Sequence, residues 1–144
     1  MTPVLEILLV EDNEGDVEIT RRALSGCEPA CNLSVANDGL EALDLLTKRR
    51  PNPGARPPQL IFLDLNMPRM DGKALLEELK KDQRLKTIPV IMFTSSHSPK
   101  DIRECFERHA SAYVVKPFDG KAFGTVLRQV LTFWTELSRL PPAL

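Results

Sequence analysis

The sequence predicts an α/β domain: a five-stranded parallel sheet in the order 2-1-3-4-5, with five helices shared between its two faces. Three observations carry this expectation. Five short apolar runs alternate along the chain with amphipathic segments, the pattern of parallel strands joined by right-handed helical crossovers. Two of those runs, Leu60-Ile61-Phe62-Leu63 and Val90-Ile91-Met92-Phe93, are apolar at every position, as strands buried on both faces must be. Four of the five runs end in reactive groups: Glu11-Asp12, Asp64, Thr94 and Lys116. In an open parallel sheet, ligands gather just outside the carboxyl ends of the strands, at the switch point that this order places between strands 1 and 3.

Each element has its own local reason. Residues 5–10 (LEILLV) form strand 1. Asn13 is a good N-cap for the next helix, and Asp16 at its third position supplies half of a capping box. Val17, Thr20, Ala23 and Leu24 share one face of that helix, which Ser25-Gly26 closes. Residues 32–36 alternate Leu33 and Val35 as a modest second strand. Asn37-Asp38-Gly39 then turns into a helix over about 40–48, with Leu43 and Leu46 facing inward. Residues 49–58 (RRPNPGARPP) contain four prolines and a glycine, which exclude helix and interior strand. An exposed loop of polyproline character is expected there, its arginines and Lys48 forming a small basic patch with no assigned chemistry.

Strand 3, residues 60–63, ends at Asp64; Pro68 stops it and Asp71-Gly72 supplies a turn. Met67 and Met70 are expected to pack this loop. A helix over 73–82 carries Leu75, Leu76 and Leu79 at helical spacing. Ile88-Pro89 leads into strand 4, which ends in Thr94-Ser95-Ser96. Pro99 suits the first turn of a helix running to about His109, whose imidazole is favoured there by the helix dipole. His97 reads as a solvated loop residue. Residues 112–115 form strand 5, ending in Lys116-Pro117. A last helix starts near Gly120, and Phe118 and Phe123 are assigned to the core.

Size and composition restrict the function. A chain of 144 residues suits one domain spanning 1–144, with 132–144 extending the last helix. A net charge of −1 gives no field to attract nucleic acid or a membrane surface. No run approaches the roughly 20 apolar residues of a membrane helix, and the N-terminus lacks a secretory pattern. A cytoplasmic location is expected. Cys27, Cys31 and Cys105 make no CxxC pair and read as reduced thiols, Cys105 on a helix and partly buried. With only two histidines, no zinc site is expected.

The strand-end groups gain meaning together. Glu11, Asp12 and Asp64 converge on one sheet edge, where their mutual repulsion is relieved by a hard divalent cation. Oxygen ligands of this kind suit Mg²⁺. Lys116 and the Thr94 hydroxyl complete a pocket for a dianionic group against Asp64, and a carboxylate nucleophile can take a phosphoryl group. The segments VEDN (10–13), DLNMPRMDG (64–72), MFTSS (92–96) and VKP (115–117) resemble the receiver domain of two-component response regulators, the CheY-like family with a flavodoxin-like fold, over residues 4–131. That resemblance implies Asp64 as phosphoacceptor, Asp12 as a direct metal ligand with Glu11 acting through water, and the Asn66 main-chain carbonyl as a further ligand. It also implies Thr94 as switch hydroxyl, Tyr113 as switch aromatic and Lys116 as partner of the phosphoryl group. Such a protein is a signalling acceptor served by a sensor histidine kinase rather than an enzyme.

The proline-rich loop before strand 3 and the tail Phe133-Trp134-Thr135-Glu136-Leu137-Ser138-Arg139-Leu140-Pro141 are similar to the single-domain regulators of bacterial phytochromes. That subgroup implies a phytochrome-type kinase and a homodimer. Phe133, Trp134, Leu137 and Leu140 continue past the stripe Phe123, Val126, Leu127, Val130 and Leu131, so helix 5 and its extension offer an apolar strip for pairing; the competing expectation is that the tail folds back on its own domain. Three other readings compete for the site. A nucleotide-binding protein would carry GxxxxGK or GxGxxG after a strand, and no strand here is followed by either. A Mg²⁺-dependent aspartate-nucleophile phosphatase would need an acid where Asn66 stands. A receiver acting only as a phosphorylation-independent docking module would not need Glu11, Asp12, Asp64, Thr94 and Lys116 intact.

Overall fold

The structure is a computed structural model that describes residues 4–27, 30–47 and 57–142. The expected proline-rich loop therefore lies outside the described residues, apart from Pro57 and Pro58. Strands β1 (Leu5–Val10), β2 (Cys31–Ala36), β3 (Leu60–Leu63), β4 (Val90–Thr94) and β5 (Ala112–Val115) alternate with helices α1 (Glu14–Leu24), α2 (Gly39–Thr47), α3 (Gly72–Lys81), α4 (Pro99–Glu107) and α5 (Gly120–Thr132). All neighbouring strands pair in parallel, in the order β2-β1-β3-β4-β5. Among the described residues, no helix is long and apolar enough to cross a membrane.

The period of two along a strand divides the core between the two faces. Leu8, Val10, Ile61, Leu63, Val90 and Met92 point to one face, where Ala42 of α2, Leu75, Leu76 and Leu79 of α3 and Cys105 of α4 cover them. Ile7, Leu9, Leu60, Phe62, Ile91 and Phe93 point to the other, under Ala23 and Leu24 of α1 and Phe123, Leu127 and Leu131 of α5. Phe93 joins Phe62 and Phe123 edge to face, at ring separations of 6.2 and 5.0 Å. β3 and β4 are fully buried, whereas the edge strand β2 leaves Asn32 and Ser34 exposed. That contrast is why the central strands read as continuous apolar runs and β2 as an alternation.

The start of α1 follows the expected chemistry, and α3 begins with a cap where the sequence showed only a turn. Asn13 Oδ1 accepts the Asp16 N–H at 3.0 Å, and Asp71 Oδ1 accepts the Ala74 N–H at 2.9 Å. Gly26 adopts φ +77° just past α1, the left-handed position that favours glycine. Gly72 opens α3 for a different reason: a Cβ there would lie 2.3 Å from the Asp64 carbonyl oxygen. Only a hydrogen lets the helix start this close to the end of β3.

Several expectations need correction. Phe118 is not core; it stands fully exposed beside the carboxyl end of β5, because the chain has left the sheet and α5 has not begun. Cys105 is wholly rather than partly buried, and burial pushes its thiol up to about 11. Helix α4 ends at Glu107, and His109 lies beyond it with φ 70°. Past α5 a π-helical turn, Phe133–Leu137, carries the helix on, but Ser138 is extended and the chain turns away. Trp134 and Leu140 pack back on the α1–α5 face, while Phe133 and Leu137 remain exposed, Leu137 at 77%. The tail thus folds back with one side only.

Candidate functional site

The carboxyl ends of β1, β3, β4 and β5 share one edge of the sheet, and the parallel register fixes what meets there. Val10 pairs with Leu63, and the Asp64 N–H donates to the Val10 carbonyl at 3.1 Å. Glu11 and Asp64 therefore leave adjacent strands side by side. Glu11 is 2% exposed and Asp64 8%, whereas Asp12 is open to solvent. One carboxylate oxygen from each of Glu11, Asp12 and Asp64 falls within 4.8 Å of the other two.

The orientation of each carboxylate is set by backbone donors. Asp64 Oδ1 accepts the Leu65 N–H at 2.8 Å, and Glu11 Oε2 accepts the Asn13 N–H at 3.2 Å. Burial, reinforced by the nearby charge of Asp64, raises the Glu11 carboxyl to about 7 despite its hydrogen bond from Lys116. Three carboxylates this close, two of them buried, form a donor set that fits a hard divalent cation better than water alone.

Lys116 supplies the positive charge. Its backbone N–H donates to the Thr94 carbonyl at 2.8 Å, extending the β4–β5 ladder by one residue and aiming the side chain across the sheet edge. The side chain is 6% exposed; Nζ donates to Glu11 and to Asp16 Oδ2 at 2.8 Å, and lies 3.7 Å from Asp64 Oδ2. Burial disfavours the ammonium, but the bonds to Asp16 and Glu11 and the charge of Asp64 outweigh it, so the Lys116 pKa is raised. Thr94 is fully buried at the end of β4, its Oγ1 accepting the Ser96 N–H at 3.4 Å. Tyr113 is half-buried and its hydroxyl donates to the Ser96 carbonyl at 2.9 Å. The expected switch pair thus meets at one loop residue. Asn66 is exposed on the loop two residues beyond Asp64.

A model of the response regulator receiver domain matches residues 7–128 of this chain. The chain belongs to the response regulator receiver family. It is 34% identical over 141 residues to the response regulator Rcp1 of Synechocystis, covering 98% of this chain and 96% of that protein. The phosphorylated cyanobacterial phytochrome response regulator RcpA superposes with a TM-score of 0.92 at 31% identity, covering 97% of this chain and all of the other. The Mn²⁺-bound form of Rcp1 gives 0.88 at 33% identity, covering 96% and 99%. The chain is therefore a response regulator of a two-component phosphorelay.

Around the receiver's edge lie residues that sequence reading did not single out. Asp16 was legible only as a helix-start residue, yet its side chain meets Lys116 across a separation of 100 positions. Asp38 is 5% exposed, accepts the Glu41 N–H at 2.9 Å as a cap for α2, and pairs with Arg69 at 2.7 Å. Arg69 has φ 65° at the centre of a three-residue turn closed by the Met70 N–H to the Pro68 carbonyl at 2.7 Å, a conformation strained for a residue other than glycine. Gly39 donates to the Met70 carbonyl at 3.1 Å, so the loop after Asp64 is moored to the start of α2. On the other side, Lys73 of α3 bonds to Asp101 at 2.7 Å and Glu104 at 2.9 Å, while Ser96 Oγ donates to Asp101. No local pattern announces these partners.

Proposed function

We propose that Asp64 accepts a phosphoryl group from the phosphohistidine of a sensor histidine kinase of the phytochrome type, in the cytoplasm, and that Mg²⁺ is the cation required. The observation that carries this reading is the cluster of Glu11, Asp12 and Asp64 with Lys116 Nζ held over it. Glu11, Asp12, Asp64 and the Asn66 carbonyl are the groups that would hold the ion, which would neutralise charge on the transferring oxygens. An Asp64 carboxylate oxygen bonds to phosphorus as the bond from phosphorus to the histidine nitrogen breaks, and the histidine leaves with the electron pair. Lys116 stabilises the oxygens of the group as it arrives on Asp64 and once it is there. The phytochrome assignment draws its support from the similarity of the chain to the cyanobacterial phytochrome response regulator RcpA and to two bacteriophytochrome response regulators.

Thr94 and Tyr113 are the proposed readout. The Thr94 hydroxyl turns toward the phosphoryl group, and Tyr113 exchanges its bond to Ser96 for an inward position, altering the face made by α4, β5 and α5. We assign residues 1–144 to this single receiver, with its tail and α5 forming a homodimer through Phe133 and Leu137, which the fold leaves exposed. Asp64→Asn keeps the size of the side chain and removes the nucleophile. Incubated with a phosphorylated kinase, the parent protein should gain a hydroxylamine-labile label and shift amide resonances on the α4–β5–α5 face. The variant should do neither, and labelling of the variant would sink the assignment.

A further inference from the structure

Lys116 is held in a way that the phosphoryl chemistry alone does not explain. Its ammonium has three protons: one goes to Glu11, one to Asp16 Oδ2 at 2.8 Å, and Asp64 Oδ2 stands 3.7 Å away. Asp16 is free to do this because of how α1 begins. A carboxylate at the third helical position ordinarily reaches back to the backbone N–H of the N-cap residue. Here that N–H, from Asn13, is taken by Glu11 Oε2 at 3.2 Å. The Asp16 side chain, 25% exposed, turns to the lysine instead, while its own N–H stays capped by Asn13.

A lysine ammonium is a point charge on a flexible four-carbon stem, so its value depends on where Nζ is held. Glu11 is a poor sole anchor, since the same carboxylate belongs to the cluster with Asp12 and Asp64. Asp16 lies outside that cluster and can keep the lysine in place whatever Glu11 binds. We propose that Asp16 is a positioning residue for phosphoryl transfer, anchoring Lys116 Nζ beside Asp64 so that its remaining proton faces the incoming group. This rests on the roles given above to Asp64 and Lys116.

The test compares Asp16→Ala and Asp16→Glu in the otherwise intact chain and in a Lys116→Met background. Phosphoryl uptake from acetyl phosphate with Mg²⁺ is followed by intact-mass spectrometry. In the intact chain, Asp16→Ala should lower the maximal rate by about tenfold or more, with the half-saturating donor concentration unchanged, and Asp16→Glu should restore most of it. In the Lys116→Met background, Asp16→Ala should have no further effect. A second readout needs no metal or donor: the Lys116 ammonium protons, sheltered and bonded, should give a resolved ¹H–¹⁵N signal that Asp16→Ala abolishes. An unchanged or faster rate, a retained ammonium signal, or an equal loss in both backgrounds would each overturn the proposal. The background comparison also removes any effect on folding, which would persist without Lys116. Failure of the underlying reading shows separately, as labelling of Asp64→Asn.

Discussion

Gly72→Ala offers a sharp test of how the fold holds the phosphoacceptor. The added Cβ would sit 2.3 Å from the Asp64 carbonyl oxygen and 2.9 Å from Leu65 Cα. Ordinary contact requires about 3.4 Å, so the end of β3 and the start of α3 must part by about 1 Å. Overpacking of this kind costs roughly 1–3 kcal/mol, and the upper end applies because the atoms met are backbone rather than a side chain able to swing away. The Gly72 N–H bond to the Leu65 carbonyl, 2.8 Å long, would be stretched as well, adding about 1 kcal/mol. A total near 3–4 kcal/mol is a large part of the roughly 5–15 kcal/mol that a domain has. The same displacement moves the Asp64 backbone, and a misplacement of about 1 Å can cost on the order of 100-fold in rate. Gly120→Ala is the control: it opens α5 with nothing within 4 Å of its Cβ, so it should be neutral or stabilising by up to about 1 kcal/mol. Urea unfolding gives the stabilities, and uptake from acetyl phosphate gives the rates. Should Gly72→Ala unfold within 0.5 kcal/mol of the parent, by roughly the error of such a measurement, and still phosphorylate normally, the close-approach argument fails.

Three further outcomes follow from the structure. Glu11 titrates near 7 in the fold against 4.5 ordinarily, so the folded state binds the extra proton and metal-free protein loses stability as pH rises from about 4.5 to about 7. Unfolding free energies from urea titrations in chelator should be higher at pH 5 than at pH 8, by up to about 3 kcal/mol, and Glu11→Gln should flatten that slope. Asp38→Asn keeps an oxygen that can cap α2 but removes the charge paired with the largely exposed Arg69, and should cost up to about 1 kcal/mol at neutral pH. The Glu41 N–H and Arg69 lower the Asp38 pKa, so its contribution is present above about pH 4 and fades below it; a loss unchanged at pH 3 would contradict this. Leu137→Glu places a charge on the exposed side of the tail and should convert a sedimenting dimer to a folded monomer, whereas a monomeric parent at tens of micromolar would remove the dimer reading.

The sequence by itself determined the strands, their parallel order and the groups at their carboxyl ends. Leu60–Leu63 and Val90–Thr94 are legible because strands buried on both faces must be apolar throughout. Glu11, Asp64, Thr94 and Lys116 are legible because each ends such a run, and a parallel sheet brings all those ends to one edge. The helix start at Asn13 is equally local, a single side chain bonding an amide three residues on; Asp71, legible only as part of a turn, caps α3 in the same way. Phe118 misled because apolar character marks a core residue only when an element carries it inward, and this one falls in the gap between β5 and α5. Trp134 and Leu137 are both apolar and three positions apart; only the turn at Ser138 and the surface of α1 and α5 decide that one is covered and the other is not. Asp16 on Lys116, Arg69 on Asp38 and Lys73 on Asp101 belong wholly to the tertiary structure. Each joins residues 28 to 100 positions apart, and a charged side chain carries no local signal of which opposite charge the fold will bring within reach.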